Sequence, residues 1–229
     1  MQEHSTTREN VTKLIEQLMR NNVLHPADIR MYQRDYAPDT PEAIRGMLED
    51  WYRGLGIETI IQRRLILSDC PFTKEEIALA KEENECILCL PKAVNRVQLS
   101  TLFRIDSWAV TDRLVTRASE AEDFWFRTKM TPSPSAMGRS GLETLYEHEA
   151  APYAPFSLER YLVFIGWYRN VTGETPDSEY WIWLPRGRYD RSGMLIAGFD
   201  RFHNFNVHGW MPQFFASFLG SRYCILPNK

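Results

Sequence analysis

The residues best suited to chemistry lie between Asp200 and Trp210, where aspartate, histidine and asparagine occur close together. If this segment is extended, Asn204, Asn206 and His208 share one face, because side chains alternate along a strand. Such a polar face beside Trp210 could bind a small polar ligand. The outward face of an ordinary edge strand gives the same pattern and is the commoner case.

Acid–base catalysis is a second interpretation of the same segment. His208 and His203 are the candidate acid–base groups, and Asp200 could orient an imidazole. A small hydrolase or transferase could use such a pair. The two histidines have no recognisable third ligand, so the sequence predicts neither a metal site nor a cofactor. It also contains no serine elbow, glycine-rich phosphate loop, metalloprotease helix or kinase motif set.

Three arginines, Arg186, Arg188 and Arg191, fall in one short connection between two apolar runs. A guanidinium can bind phosphate through two hydrogen bonds, and Tyr189 could stack on a base. Against this, Asp190 neutralises part of the cluster, and charged hairpin tips are common. Binding of nucleic acid through this loop is therefore a weaker alternative.

Cys86 and Cys89 have the spacing of a metal-binding pair, but they lie in an apolar run that predicts a strand. In a strand, positions three apart point to opposite faces, so the two thiolates could not chelate one ion. We therefore expect two core cysteines. Four cysteines in the whole chain are too few for a disulfide framework, which favours a reducing, cytoplasmic location.

Composition predicts a soluble, folded protein. Of the 229 residues, 44% are hydrophobic, 13% aromatic and 25% charged, and the formal net charge is −3. The charge gives no general attraction to nucleic acid. No run of apolar residues is long enough to cross a membrane, and the polar first ten residues lack the apolar core of a signal peptide. No membrane partner is expected.

Two runs, 179–184 and 193–199, are apolar at nearly every position, which is typical of strands buried on both faces. We expect Ile182 and Ile196 to be buried in adjacent antiparallel strands. Such a sheet needs a covering layer on each side. Three further strands are expected, at 86–90, 108–115 and 123–130.

Helices are predicted from amphipathic spacing and from start signals such as Asp39-Thr40-Pro41 and Thr73 with Glu76. Residues 158–168 are apolar almost all round, so this helix should lie between layers or against a partner. Residues 57–67 fit either a helix or a strand, and residues 131–141 form either a plain loop or a mobile flap. The predicted helices begin near residues 8, 26, 41, 73, 97, 142 and 158.

Together these patterns predict an α+β fold in one domain, 1–229. A helical layer over residues 8–83 would pack on a mixed, mainly antiparallel sheet formed by residues 84–229. The aromatic excess is clear and a catalytic constellation is not, so we expect a binding or protein-interaction module. Its partner would be a protein or a small polar ligand. The hydrolase or transferase at Asp200–His208 and nucleic-acid binding at Arg186–Arg191 are the alternatives.

Overall fold

The computed structural model describes residues 38–92, 94–105, 108–111, 115, 122–149, 152–189 and 193–228. All of them belong to the compact unit Pro38–Lys229. The helices predicted to begin near residues 8 and 26 lie outside the described residues, so the prediction of one domain over the whole chain stays a prediction.

The described part of the chain begins with three helices, continues with interspersed helices and strands, and ends with five consecutive strands. The helices are α1 (Pro41–Gly54), α2 (Ile57–Ile61), α3 (Lys74–Glu82), α4 (Arg96–Phe103), α5 (Trp108–Thr111), α6 (Gly141–Glu149) and α7 (Leu158–Thr172). The strands are β1 (Glu85–Leu90), β2 (Phe124–Lys129), β3 (Ala136–Met137), β4 (Tyr153–Pro155), β5 (Trp181–Tyr189), β6 (Gly193–Phe199), β7 (Phe205–Trp210), β8 (Leu219–Ser221) and β9 (Tyr223–Ile225).

The predicted helix starts are confirmed where a side chain caps the first turn. The Thr40 hydroxyl accepts a hydrogen bond from the backbone N–H of Ala43 at the start of α1. Thr73 and Glu76 satisfy each other's backbone N–H groups at the start of α3. At the start of α7 the Ser157 hydroxyl accepts a hydrogen bond from the backbone N–H of Arg160 at 3.2 Å. These contacts are local in sequence, which is why the sequence reveals them.

The strand predicted over residues 108–115 is wrong at residues 108–111, and residues 112–114 lie outside the described part of the chain. Residues 108–111 form the single-turn helix α5, and Val115 makes only an isolated bridge to Tyr189. The buried guanidinium of Arg96 donates from Nε to the carbonyl of Val110 at 2.8 Å, so this carbonyl is engaged by a side chain. Two alternating apolar positions are too short a pattern to distinguish a strand from one helical turn.

The strands form two sheets where the sequence predicts one. The first has the order β1-β2-β9-β4, and all its pairs are antiparallel. The second has the order β3-β8-β5-β6-β7 and is mixed, because β8 runs parallel to β5. The α+β class is confirmed. The described helices are distributed along the chain, however, and are not gathered in an N-terminal layer.

The second sheet is buried on both faces at its centre, as predicted. On one face, Ile182 of β5 belongs to the main core, which also contains the all-round apolar helix α7. On the other face, Trp183 and Ile196 belong to a smaller core beneath α6. Both Ile182 and Ile196 have 0% exposure and lie in adjacent antiparallel strands, which confirms that prediction.

The segment 131–141, left open as a loop or a flap, is hydrogen-bonded to the second sheet. The N–H of Ser135 donates to the Ser221 carbonyl at 3.1 Å, and the N–H of Gly138 donates to the Leu219 carbonyl at 2.8 Å. The indole of Trp183 donates to the Arg139 carbonyl at 2.9 Å. These bonds fasten the segment to the sheet at three separate points.

Candidate binding surface

The face of the second sheet that carries α6 is open toward the edge strand β7. At the sheet centre, Trp183, Met194 and Ile196 are fully buried. Toward the edge, Trp181 and Trp210 are only half-buried and His208 is exposed. The same face is therefore a closed core at the centre of the sheet and a partly exposed group of aromatic rings at its edge.

Gly198 allows these rings to come together. A Cβ atom at this position would lie 3.0 Å from the indole Cδ2 atom of Trp181 and 2.8 Å from the Tyr180 carbonyl oxygen. The indole therefore lies across β6 at the point where β6 has no side chain. Its ring centroid is 5.2 Å from that of His208, at an interplanar angle of 32°.

The segment between β7 and β8, residues 211–218, extends this face with exposed apolar side chains. Met211, Phe214, Phe215 and Phe218 are 61%, 44%, 68% and 43% exposed. The Phe214 ring lies 5.4 Å from the Trp210 ring between centroids. We call the set Trp181, His208, Trp210, Met211, Phe214, Phe215 and Phe218 the aromatic surface.

The exposed phenylalanines project from a backbone that is held at several points. The N–H of Phe214 donates to the Met211 carbonyl, and the N–H of Leu219 donates to the Ala216 carbonyl, both at 3.0 Å. The N–H of Trp181 donates to the Phe218 carbonyl at 2.9 Å. The exposure of these rings is thus a feature of an ordered, hydrogen-bonded segment.

Helix α6 continues the apolar area. Leu142 and Tyr146 are 40% and 78% exposed, and the N–H of Leu142 donates to the Pro212 carbonyl at 2.9 Å. Gly141 lets the start of this helix approach the sheet, since a Cβ atom there would lie 2.6 Å from Sδ of Met194. Single exposed apolar residues are ordinary, but a contiguous group indicates an interaction site.

Of the aromatic surface, only Trp210 and His208 are recognisable from the sequence patterns. The available signal is composition, because residues 211–218 contain four large apolar side chains in eight positions between two strands. A loop normally has few of them. Burial decides whether such a run is core or surface, and burial depends on the tertiary structure.

Asp200, predicted as a partner of an imidazole, is engaged by its own turn. Its Oδ1 accepts from the N–H groups of Phe202 (2.8 Å) and Asn204 (3.0 Å). Its Oδ2 accepts from the side-chain amides of Asn204 (3.1 Å) and Asn206 (3.3 Å). The side chain of Asn204 is the main reason that the pKa of this carboxyl lies below its usual value.

The predicted alternation is present in β7, but the strand begins at Phe205, so Asn204 lies before it and does not share the strand face of Asn206 and His208. Phe205 and Val207 are buried, whereas Asn206 and His208 point to the other face. His203 lies before the strand, in the turn, with φ of 62°. The structure therefore brings His208 to Trp181 and places Asn204 and Asn206 around Asp200. The acid–base role of His203 and His208 stays a prediction.

The predicted arginine loop is wrong in part, because β5 extends to Tyr189 and therefore contains Arg186 and Arg188, whereas Arg191 lies outside the described residues. Arg188 donates from Nη1 to the carbonyls of Pro185 (3.0 Å) and Gly187 (3.4 Å) in the same strand. The register between β5 and β6 shifts between Leu184 and Arg188. Arg186 is exposed. The described part of the loop thus offers one guanidinium bound to its own backbone and one directed to solvent.

The four cysteines are free thiols and all are buried. Burial raises the pKa values of Cys70, Cys86 and Cys89 above the usual range. The thiolate is the reactive and metal-binding form, so these thiols are poorly suited to either role. In the part of the chain that the structure describes, no group of three His, Cys, Asp or Glu side chains could hold a metal ion.

No family model matches this chain, and no curated protein or solved structure is significantly similar to it. Among the described helices, none is long and apolar enough to cross a membrane. Its function must therefore be inferred from the arrangement of its own residues.

Proposed function

We propose that this chain is a protein-interaction module that binds an apolar part of a partner protein through the aromatic surface. The observation that supports the proposal is the exposure of Phe214, Phe215 and Phe218, at 44%, 68% and 43%, from a hydrogen-bonded backbone. A backbone held in this way loses little conformational freedom when a partner covers it, which lowers the entropic cost of binding.

The exposed area is large enough to contribute substantially to association. With about 200 Å² for each aromatic side chain, the three phenylalanines leave roughly 300 Å² of apolar surface in water. Burying it would contribute about 8 kcal/mol at about 25 cal/mol per Å². Association itself costs about 4–15 kcal/mol, so these rings could anchor a complex that the rest of the surface completes.

The charge of the surface favours a protein over a nucleic acid. None of the seven residues of the aromatic surface is Lys or Arg. Nucleic acids are bound mainly through cationic contacts to phosphates. Asn206, which lies two residues before His208 in β7, adds a polar group at the border of the rings. An apolar centre with a polar rim is the usual anatomy of a protein–protein interface.

Site-specific photo-crosslinking tests the proposal. A benzophenone amino acid replaces Phe215 in cells of the native host, and a second strain carries it in place of Ile66, which is 71% exposed and outside the aromatic surface. We expect an adduct of one defined mass from position 215 and none from position 66. The partner identified from that adduct is then purified, and its affinity for the unmodified chain is measured.

Loss of binding on changing the rings completes the test. Phe214→Ser with Phe218→Ser should weaken binding of the purified partner by about 100-fold, since truncating a central aromatic anchor commonly costs about 2 kcal/mol or more. An adduct of twice the chain mass would make the partner a second copy. Equal adducts from positions 215 and 66, or unchanged affinity of the double variant, would refute the proposal.

A further inference from the structure

A cavity of about 390 Å³ lies apart from the aromatic surface and shares no residue with it. One wall comes from residues 132–133, a second from residues 174–180, and His203 completes the rim. Its volume is in the range of sites for small molecules, about 300–1,000 Å³. The lining residues are Pro132, Ser133, Glu174, Thr175, Ser178, Glu179, Tyr180 and His203.

The two walls are joined by a buried residue, Arg222. Its Nη2 donates to the carbonyls of Thr131 (2.7 Å) and Ser133 (2.9 Å) on one wall. The same guanidinium binds the carboxylate of Asp177 on the other wall through two bonds of 2.7 Å. The N–H of Asp177 also donates to the Pro132 carbonyl at 2.8 Å. The cavity is therefore formed before any ligand enters, which favours binding.

The lining is rich in groups that accept hydrogen bonds. Glu174 and Glu179 are exposed carboxylates that form no ion pair with any other described residue. Tyr180 adds a phenol ring whose apolar part packs on the main core. No Lys or Arg is among the lining residues. Arg169 lies behind the wall, where it donates to the Thr175 hydroxyl at 3.2 Å and stacks on Phe199.

We propose that this cavity binds a small organic amine in its protonated form. Two carboxylates can accept charge-assisted hydrogen bonds from an ammonium group, and an aromatic ring attracts a cation through its face. Glu174, Glu179 and His203 are not grouped closely enough to hold a metal ion. Each of the two carboxylates can accept hydrogen bonds from an ammonium group, and a short diamine offers one such group to each.

Calorimetry and NMR titration with 1,4-diaminobutane test the proposal. The matched probes are 1,4-butanediol, which has the same chain without charge, and succinate, which has the opposite charge. We expect a dissociation constant of about 1 mM or tighter for the diamine, and amide shifts at Ser133, Thr175, Ser178 and His203. N-acetyl-lysinamide tests whether the ammonium group belongs to a polypeptide, since tighter binding than the diamine would identify a lysine side chain.

Charge-removing variants locate the binding site. The double variant Glu174→Gln, Glu179→Gln should bind the diamine with an affinity lower by roughly tenfold or more, because hydrogen bonds to charged groups are stronger than those between neutral groups. Glu82→Gln removes an exposed carboxylate from α3 as a control and should leave the affinity unchanged. Equal binding of butanediol, an equal loss in the control, or no amide shifts around the cavity would refute the proposal. An unchanged melting temperature shows that both variants are folded.

Discussion

Arg222 and Asp177 form a buried ion pair in which both partners have 0% exposed side chains. Nε and Nη2 of the guanidinium lie 2.7 Å from Oδ2 and Oδ1 of the carboxylate. The Tyr161 hydroxyl donates to Oδ2 at 2.9 Å, and the Phe164 ring covers the guanidinium at 4.6 Å. A buried pair of this kind is stable only when further hydrogen bonds satisfy its remaining donors and acceptors, as they do here.

Removing one partner of this pair should be severely destabilising. Asp177→Ala leaves the Arg222 guanidinium buried without its counter-charge, and we expect the free energy of unfolding to fall by about 3–5 kcal/mol. Urea denaturation measures the loss. The double variant Asp177→Leu, Arg222→Met leaves no uncompensated charge. Its loss in free energy of unfolding should therefore be smaller than the sum of the losses in Asp177→Leu and Arg222→Met alone. A loss below about 1 kcal/mol for Asp177→Ala would contradict this account.

Two glycines inside helices should respond to alanine with opposite signs. At Gly166 in α7, a Cβ atom would lie 2.3 Å from Cδ1 of Phe103, so Gly166→Ala should cost about 1–3 kcal/mol through overpacking. At Gly46 in α1, nothing lies within 4 Å of that position. Gly46→Ala should therefore stabilise by about 0.5–1 kcal/mol through helix propensity. Thermal melts of both variants would show the contrast, and equal shifts would refute it.

The two faces of the second sheet should be similarly sensitive to truncation. Ile182 lies in the main core and Ile196 in the smaller core, and both are fully buried. Ile182→Ala and Ile196→Ala should each cost about 2–5 kcal/mol, the range for large-to-small changes in packed interiors. If urea melts gave Ile196→Ala a loss below about 1 kcal/mol, the smaller core would not be packed as described.

The turn at Asp200 should stabilise the protein in a pH-dependent way. Its pKa is lowered in the folded protein by its hydrogen bonds to Asn204, Phe202 and Asn206. The stabilisation is therefore fully present above the unfolded pKa, about 3.9, and is lost as the pH falls through the lower folded value. Asp200→Ala should lower the melting temperature at pH 7, and the difference should shrink as the pH falls below about 4. Asp39→Ala, at an exposed aspartate, is the control.

His208→Gln distinguishes the interpretations of the polar face of β7. The imidazole packs 5.2 Å from the Trp181 ring and lies on the aromatic surface. For an interaction surface, the change should modestly lower the affinity for the partner while the melting temperature stays nearly constant. For a catalytic site, turnover should fall about 10²–10⁴-fold. Measured affinity and activity that are both unchanged would remove His208 from either site.

Features that depend on neighbouring residues could be predicted from the sequence. The caps at Thr40 and Thr73 join groups only three residues apart. The buried strands β5 and β6 are recognisable because their residues are apolar on both faces. At residues 108–111 the predicted strand is a helical turn, and the carbonyl of Val110 is bound by Arg96, which lies 14 positions earlier in the chain. A contact of this kind is not visible in the local pattern.

Features that depend on distant partners could not be predicted. Asp177 and Arg222 are 45 positions apart and have no sequence pattern in common. The cavity is formed by segments around residues 132, 177 and 203, each of which resembles an ordinary polar loop. The aromatic surface required knowledge of which rings the sheet leaves uncovered. In each case the decisive contact follows from the topology.

Arg222 separates two three-residue strands that belong to different sheets. β8 lies between β3 and β5 in the second sheet, whereas β9 lies between β2 and β4 in the first. Both are interior strands, yet each is made after both of the strands that flank it. During translation, the meander β5-β6-β7 can pair as it emerges, because its strands are consecutive. β3 stays unpaired until β8 has left the ribosome, and β4 stays unpaired until β9, which ends at Ile225, has done so. A nascent chain stalled before that residue would expose both sheets to aggregation.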